Sequence, residues 1–486
     1  MTSVEAPVAD TSVMGTCAEL RLELRDLTAR TCGTRPVLVS ASVAIQTADP
    51  LGWFDASRGL GEEVAYWDQP GSRAFVGIGV ATSIALSGTD RFRNAAASWT
   101  QLLDSSLTGG SAAGRPGAGP ILLGGGTFAD GPSSDPCWTG FERGRLDVPA
   151  LLLSITGGTL ILTCTVLIDP TQPTAAALTT IESTLDRVAR LLGDGPRSST
   201  GDQPVLLRHI GGHPDRAAWS SSVARSAGAV GRGRIDKVVL ARRVDLEASA
   251  VIDVAAVLGR LGATPDPTTA PVTVFAFTRG TRTFLGASPE RLVAAQGHGF
   301  RTVALAGTTG RDPDVAADQG LAEALLASEK DREEHAVVVE MLRETLAPVA
   351  ARLDIDRTPH IVRLPTVQHL ASEVTGELRD DLGILDLVAR LHPTPAVGGW
   401  PRAAALELLD EQEHLDRGWY AAPVGWLDAQ GDGEFVVAIR SGVIEGDRAS
   451  LFVGCGIVGD SEPDREWAES GMKLQSLASA LGRLEP

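Results

Sequence analysis

Only three lysines, Lys237, Lys330 and Lys473, stand among the 43 Lys and Arg residues of this chain. Arg supplies the generic positive charge, so a retained Lys ranks as a place where a compact or removable charge is useful. Lys473 lies in LFVGCGIVGDSEPDREWAESGMKLQ, residues 451–475. That stretch opens as an apolar strand and loosens at Gly454, Gly456 and Gly459. After an acidic turn with Pro463 it enters a helix carrying Glu466, Glu469 and Lys473. At about 100° per residue these three fall within roughly 60° of one face. Glycines let a ligand approach the backbone. Two carboxylates beside an ammonium suit a metal ion together with an anion. A plain surface helix with a Glu/Lys pair would read the same way.

Lys237 opens an apolar strand, KVVLARRVDL. To serve as a base near neutrality its pKa must fall from about 10.4 to about 7–8, which partial burial favours. A strand-edge Lys reaching for water is the plainer alternative. In LGASPERLV, Ser288-Pro289 turns the chain at a strand end and projects Glu290. A carboxyl there can act as a general acid if burial raises its pKa; pairing with Arg291 or capping the turn is the alternative. In SEKDREEHAVVVEML, Asp331 and Glu334 form a second carboxylate pair at i, i+3. If this face meets Glu466 and Glu469, four carboxylates converge. Such a cluster needs a divalent cation, and all-oxygen ligation points to Mg²⁺ rather than Zn²⁺. Each face alone reads as a solvated acidic surface.

Other motifs carry less. GAVGRG at 228–233 follows a helix, so it is no dinucleotide fingerprint, and no GxxxxGK[ST] occurs. Cys455 between two glycines faintly suggests a nucleophile elbow, in the wrong context.

The elements that must position these residues come from a chain of 486 residues, formal net charge −18, with 43% hydrophobic residues. Length and apolar content allow a large core. The acidity excludes a nucleic-acid surface and means that an anionic substrate must be met by local cations or a metal. Five scattered cysteines without CxxC spacing suggest neither disulfides nor zinc, and fit a reducing cytoplasm. The uncharged run 148–168 is long enough to span a membrane, yet Gly157-Gly158 at its centre predicts a buried β-hairpin instead. Residues 1–15 are expected to be a flexible tail. Strands are predicted from Leu20 to about Asp169, beginning with LRLELRDL, with a flexible loop at 107–120. A helix is predicted at 175–192, a linker at 193–204, and one long helix at 318–353 broken near Pro348. Strands and helices mix without βαβ regularity, which predicts an α+β fold.

Taken together, KVVLAR, GASPERL, LAGTTGR, SEKDREEH, VQHLASEVTG, LHPTPAVGG, AIRSG and FVGCGIV with the following helix resemble, in order and spacing, the chorismate-utilising enzymes. That family includes isochorismate synthases, salicylate synthases and the anthranilate and aminodeoxychorismate synthase subunits. The resemblance covers 205–486, which it implies to be the chorismate-binding catalytic core, with 16–204 a variable part of the same fold. It implies antiparallel sheets in a β-sandwich core flanked by helices. Lys237 would be the base activating water and Glu290 the acid protonating the departing 4-hydroxyl. Glu334 and Glu469 would bind Mg²⁺ directly, with Asp331 and Glu466 acting through water. Tyr420, Arg440, Gly454, Gly456 and Lys473 would hold the carboxylates of chorismate, Gly307, Thr308, His369 and Ala396 would line the ring, and Ile439 would also contact substrate. HPTPAVGG resembles the isochorismate type, and Ala396 replaces the Thr common in salicylate synthases. The resemblance thus implies a cytoplasmic, monomeric isochorismate synthase without a glutamine amidotransferase partner, with salicylate synthase as the alternative.

Overall fold

The uncharged run folds back on itself at its two glycines. Strands Gly144–Thr156 and Thr159–Ile168 pair antiparallel around Gly157 and Gly158, both left-handed at φ 57° and 79°, as a tight hairpin requires. The structure, a computed structural model, describes residues 13–485 apart from 32–33, 173, 194–204, 264–268 and 365–366. The predicted linker therefore falls almost wholly outside the described residues. No described helix is long and apolar enough to cross a membrane.

The strands form two runs. The first passes from Val205–His213 to Lys237–Ala248, Arg448–Ile457, Ser441–Glu445, Arg282–Ser288, Thr273–Arg279, Val64–Gln69 and Arg73–Leu86, and on to the hairpin. The second passes from Ile121–Gly125 to Pro423–Asp428, Gly433–Val437, Arg291–Gln296, Gly299–Gly310 and Val367–Leu378. Ile121–Gly125 also pairs with Gly144–Thr156 and so joins the two.

The chain crosses between the runs at two adjacent places. At 288–291 it leaves Arg282–Ser288 for Arg291–Gln296, and at 437–441 it leaves Gly433–Val437 for Ser441–Glu445. The crossings are laced together. Val437 N–H donates to the Glu290 carbonyl at 3.0 Å, Ala287 N–H to the Arg440 carbonyl at 3.2 Å, and the Ser288 hydroxyl to the Val437 carbonyl at 2.6 Å. Gly286 is required here, because a Cβ would meet Phe275 at 2.7 Å and Ser441 at 2.8 Å.

Several sequence expectations need correction. The fold is mixed α/β. Two pairings are parallel, Val37–Ile45 with Leu107–Gly109 and Gly482–Leu484 with Val205–His213, so the sheet is not purely antiparallel. LRLELRDL is helical, inside Val13–Ala29; Leu20, Leu24 and Leu27 are buried at i, i+4, i+7 while Leu22 is exposed. The same helix takes up 13–15 of the expected tail. The expected loop at 107–120 begins with a strand and is tied down, with Ala112 buried and its N–H on the Ser42 carbonyl. The expected long helix is two, Val315–Ala327 and Glu329–Leu346, divided where Ser328 caps the second by accepting from Asp331 N–H. Past it, Ala350–Ile355 is a strand.

Candidate active site

Side chains at both crossings act electrostatically on one another, Glu290 with Lys237 and Tyr420, and Tyr420 with Arg440. Glu290 stands at the first. Its N–H donates to Ser288 Oγ at 3.2 Å, and Thr394 Oγ1 donates to its Oε1 at 3.3 Å. Burial pushes the Glu290 carboxyl above its ordinary value, while the Thr394 hydrogen bond and the charge of Lys237 pull it back. Arg291 turns away and pairs with the buried Glu434 at 2.9 Å, so it is not the partner of Glu290.

Lys237 begins the strand Lys237–Ala248, and its side chain lies across Gly456. A Cβ at 456 would stand 2.5 Å from the Lys237 Cε and 3.2 Å from Nζ. Only glycine there lets the ammonium lie over the neighbouring strand. On the other edge Gly399 pairs with Val238; its φ of 128° and an approach of 2.3 Å to the Lys237 carbonyl exclude any side chain.

Arg440 stands at the second crossing with φ 50°, a conformation seldom adopted outside glycine, asparagine and aspartate. Ala421, beside Tyr420, has φ 59°, and its N–H donates to the Ala438 carbonyl at 2.9 Å. Two left-handed non-glycine residues in adjoining segments cost of order 1–3 kcal/mol each and concentrate where the fold aims a side chain. Tyr420 is buried, stacks on Phe452 at 5.5 Å between centroids, and sends its hydroxyl toward Gly454, where a Cβ would come within 3.1 Å. Burial pushes the Tyr420 phenol up and the Arg440 guanidinium down.

Gly307 forms a β-bulge at φ 74° between Ala306 and Thr308, and a Cβ there would meet the Asp331 Cβ at 3.1 Å. The bulge lets the helix Glu329–Leu346 settle on the strand. Next to it Thr308 Oγ1 and His369 Nδ1 are 2.9 Å apart. Desolvation lowers the His369 imidazole to about 4, against a Gly307 backbone hydrogen bond that raises it; Arg440, Lys473 and Lys237 lower it further. His369 is thus neutral near pH 7, with Arg440, Lys473 and Lys237 close enough to act on it.

On the helix Pro463–Leu481, Lys473 Nζ pairs with Glu469 Oε1 at 2.7 Å and reaches the Gly454 carbonyl at 3.4 Å. Glu466 accepts from Ser461 Oγ at 2.7 Å. Burial, together with Glu469 and Asp460, raises the Glu466 carboxyl, while Ser461 and Lys473 oppose the rise. Ligand atoms of Glu466, Glu469 and Cys455 lie within 4.8 Å of one another. Two crowded carboxylates already drawing on an ammonium fit a divalent cation. Asp331, bound by the Ser328 hydroxyl, and the exposed Glu334 lie outside that 4.8 Å group.

Cys455 is fully buried and its thiol is pushed up to about 12 by burial, which removes the nucleophile option. Ala396 is exposed, in a turn where the Thr394 carbonyl accepts from Val397 and Gly398 N–H. Ile439 is half-buried within the second crossing. Thr394, Glu413 and Arg417 were not singled out from sequence, although HPTPAVGG contains the first.

This geometry agrees with the comparisons. Residues 24–482 match the family described as "Chorismate binding enzyme", and the chain belongs to that family, whose enzymes are metal-dependent. It is 38% identical to a salicylate biosynthesis isochorismate synthase of Pseudomonas aeruginosa, over 93% of this chain and 91% of that one. It is 34% identical to the isochorismate synthase MenF of Bacillus subtilis, over 92% and 94%. The structure of MenF, the menaquinone-specific isochorismate synthase of Escherichia coli, superposes with a TM-score of 0.77 at 26% identity, covering 97% of this chain and all of that one.

Proposed function

We propose that this protein is an isochorismate synthase, converting chorismate to isochorismate. The observation that carries the proposal is a pair of titratable groups close enough to interact: Lys237 laid over Gly456, and Glu290 held at the crossing with its carboxyl raised. Water attack at C2 of the ring needs a base, and loss of the C4 hydroxyl needs a proton. Lys237 is the base that takes a proton from the attacking water. Glu290, whose carboxyl burial raises, is the acid that gives a proton to the departing hydroxyl. Arg440, Lys473 and the Tyr420 hydroxyl meet the carboxylates of the dianion, with backbone at Gly454 and Gly456. Ile439, Gly307, Thr308, neutral His369 and Ala396 border the ring.

Mg²⁺ is the cation proposed; Glu469 and Glu334 would hold it, with Glu466 and Asp331 assisting through water. When bound it offsets charge on the substrate carboxylate. Within the fold, 205–486 is the catalytic core, 16–204 the variable buttress, and the two strand runs the layers of a β-sandwich. The protein acts as a cytoplasmic monomer without an amidotransferase partner.

Ala396 has no hydroxyl to buttress an elimination step, so isochorismate leaves before pyruvate is lost. Feeding menaquinone synthesis is the preferred pathway reading, supported by the full-length match to MenF. A siderophore or salicylate route is the alternative, favoured by the Pseudomonas relative. Chromatography of a timed reaction with chorismate and Mg²⁺, without glutamine or ammonia, tests the activity. Isochorismate accumulating to equilibrium is expected; stoichiometric pyruvate from the earliest time points would make the enzyme a salicylate synthase.

A further inference from the structure

Arg417 and Glu413 are buried, with 3% and 7% of their side-chain surface exposed, and no chemical step above uses them. They pair through two contacts, Nε to Oε1 at 2.5 Å and Nη2 to Oε2 at 2.7 Å. The guanidinium rests on the Phe128 ring, 4.2 Å from its centroid. Its other hydrogen bonds go to main chain, Nη1 to the Val397 carbonyl at 2.7 Å and Nη2 to the Val239 carbonyl at 2.6 Å. Glu413 Oε2 in turn accepts the Ala241 N–H at 2.8 Å.

These partners lie on segments that serve the proposed site. The free edge of the Lys237 strand is covered by backbone only at first: Trp400 pairs with Lys237, Gly399 with Val238, and Val239 N–H donates to the Gly398 carbonyl at 3.1 Å. The next two groups along that edge are the Val239 carbonyl and the Ala241 N–H. Arg417 and Glu413 satisfy these two, so the ion pair continues the ladder with side chains. The remaining arm of Arg417 holds Val397, in the turn whose Thr394 hydroxyl binds Glu290. One guanidinium thus joins the strand of Lys237 to the support of Glu290.

A buried ion pair is a poor device for stability alone, since well-packed apolar residues often serve as well or better. What it offers is direction: a planar fork with several donors fixes two carbonyls and a carboxylate at once. We propose that Arg417 and Glu413 are positioning residues that set the spacing between the Lys237 strand and the Thr394 turn, and so align Lys237 and Glu290 across the ring. The proposal rests on the assignment of Lys237 and Glu290 as base and acid.

Arg417→Lys keeps the charge and loses the fork. In the full chain its kcat falls by about 10- to 100-fold, the scale of an ångström of misplacement. The KM for chorismate and the Mg²⁺ half-saturation stay within about twofold, because carboxylate and metal contacts are untouched. The double variant with Thr394→Val loses less than the product of the single losses, since both act through one turn. If Arg417→Lys does not fold, Glu413→Gln, which retains an acceptor for Ala241, carries the same expectations. A folded variant with wild-type kcat, or one losing kcat and KM alike, overturns the proposal, as does full independence from Thr394→Val. Lys237→Gln and Glu290→Gln are the controls. Full rates in those would remove the base and acid assignment itself, an outcome distinct from Arg417 alone proving dispensable.

Discussion

The two sides of the proposed site are built differently. On the crossing side Glu290, Arg440 and Tyr420 are fixed by main-chain hydrogen bonds, left-handed residues and stacked rings. On the helix side Glu469 and Lys473 keep 47% and 42% of their side-chain surface exposed, and Glu334 stands in solvent. Groups that exchange protons with a substrate act only in one alignment, and rigid strands supply it. Carboxylates meant for a cation repel one another until it arrives, and helix surfaces let them stay apart. In the proposed mechanism the crossing side is set before binding, while the helix side is completed by what binds.

The contrast breaks or holds on four measurements. Glu290→Gln and Lys237→Gln should each cost at least about 10²-fold in kcat, and added Mg²⁺ should restore nothing; rates near wild type would mean that the rigid side is not the catalytic one. Glu469→Gln and Glu334→Gln come next. EDTA should abolish wild-type activity and Mg²⁺ restore it, whereas these variants should need more Mg²⁺ or lose activity altogether. Full turnover in metal-free buffer would end the metal assignment.

Thr394→Val should act on pH dependence. The Thr394 hydrogen bond lowers a Glu290 carboxyl that burial has raised. Its loss leaves the acid protonated to higher pH, so the alkaline limb of the kcat profile should move upward. A downward move would contradict the assignment of Glu290 as the proton donor.

The smallest effect concerns stability. Desolvation holds buried His392 at about 3 and half-buried His369 at about 4. The unfolded chain takes up these protons near 6.5. Both folded values are depressed, so the stability they bring is complete above pH 6.5 and is lost as pH falls toward 3. Melting temperatures measured from pH 7 to 4 should decline, and less steeply in His392→Asn.

Much of the proposed site was legible because its residues announce themselves locally. Lys237 is a rare lysine entering an apolar strand, and Glu290 follows Ser-Pro at a strand end. Their convergence was not legible from composition or spacing, since it depends on two crossings between strand runs that no local pattern encodes. LRLELRDL misled because alternation and helical spacing coincide over eight residues; only burial of Leu20, Leu24 and Leu27 separates them. The break at Ser328 could have been read, because Ser328 with Asp331 three residues on is a helix-start signal. Arg417 and Glu413 look like any i, i+4 surface pair until their burial is known.

The strand that bears Lys237 has neighbours of very different age in synthesis. Val205–His213 precedes it, but Arg448–Ile457, which covers its other edge, begins 200 residues after it ends at Ala248. At about 5–20 residues per second a ribosome takes roughly 10–40 s to deliver that partner. For that interval an apolar edge, VVLA, stands open, the kind of edge on which chains aggregate. Soluble yield should therefore depend on what guards the nascent chain. Slower growth at low temperature, or extra chaperone, should raise the yield of active protein without altering the enzyme once the C-terminal strand has closed the sheet.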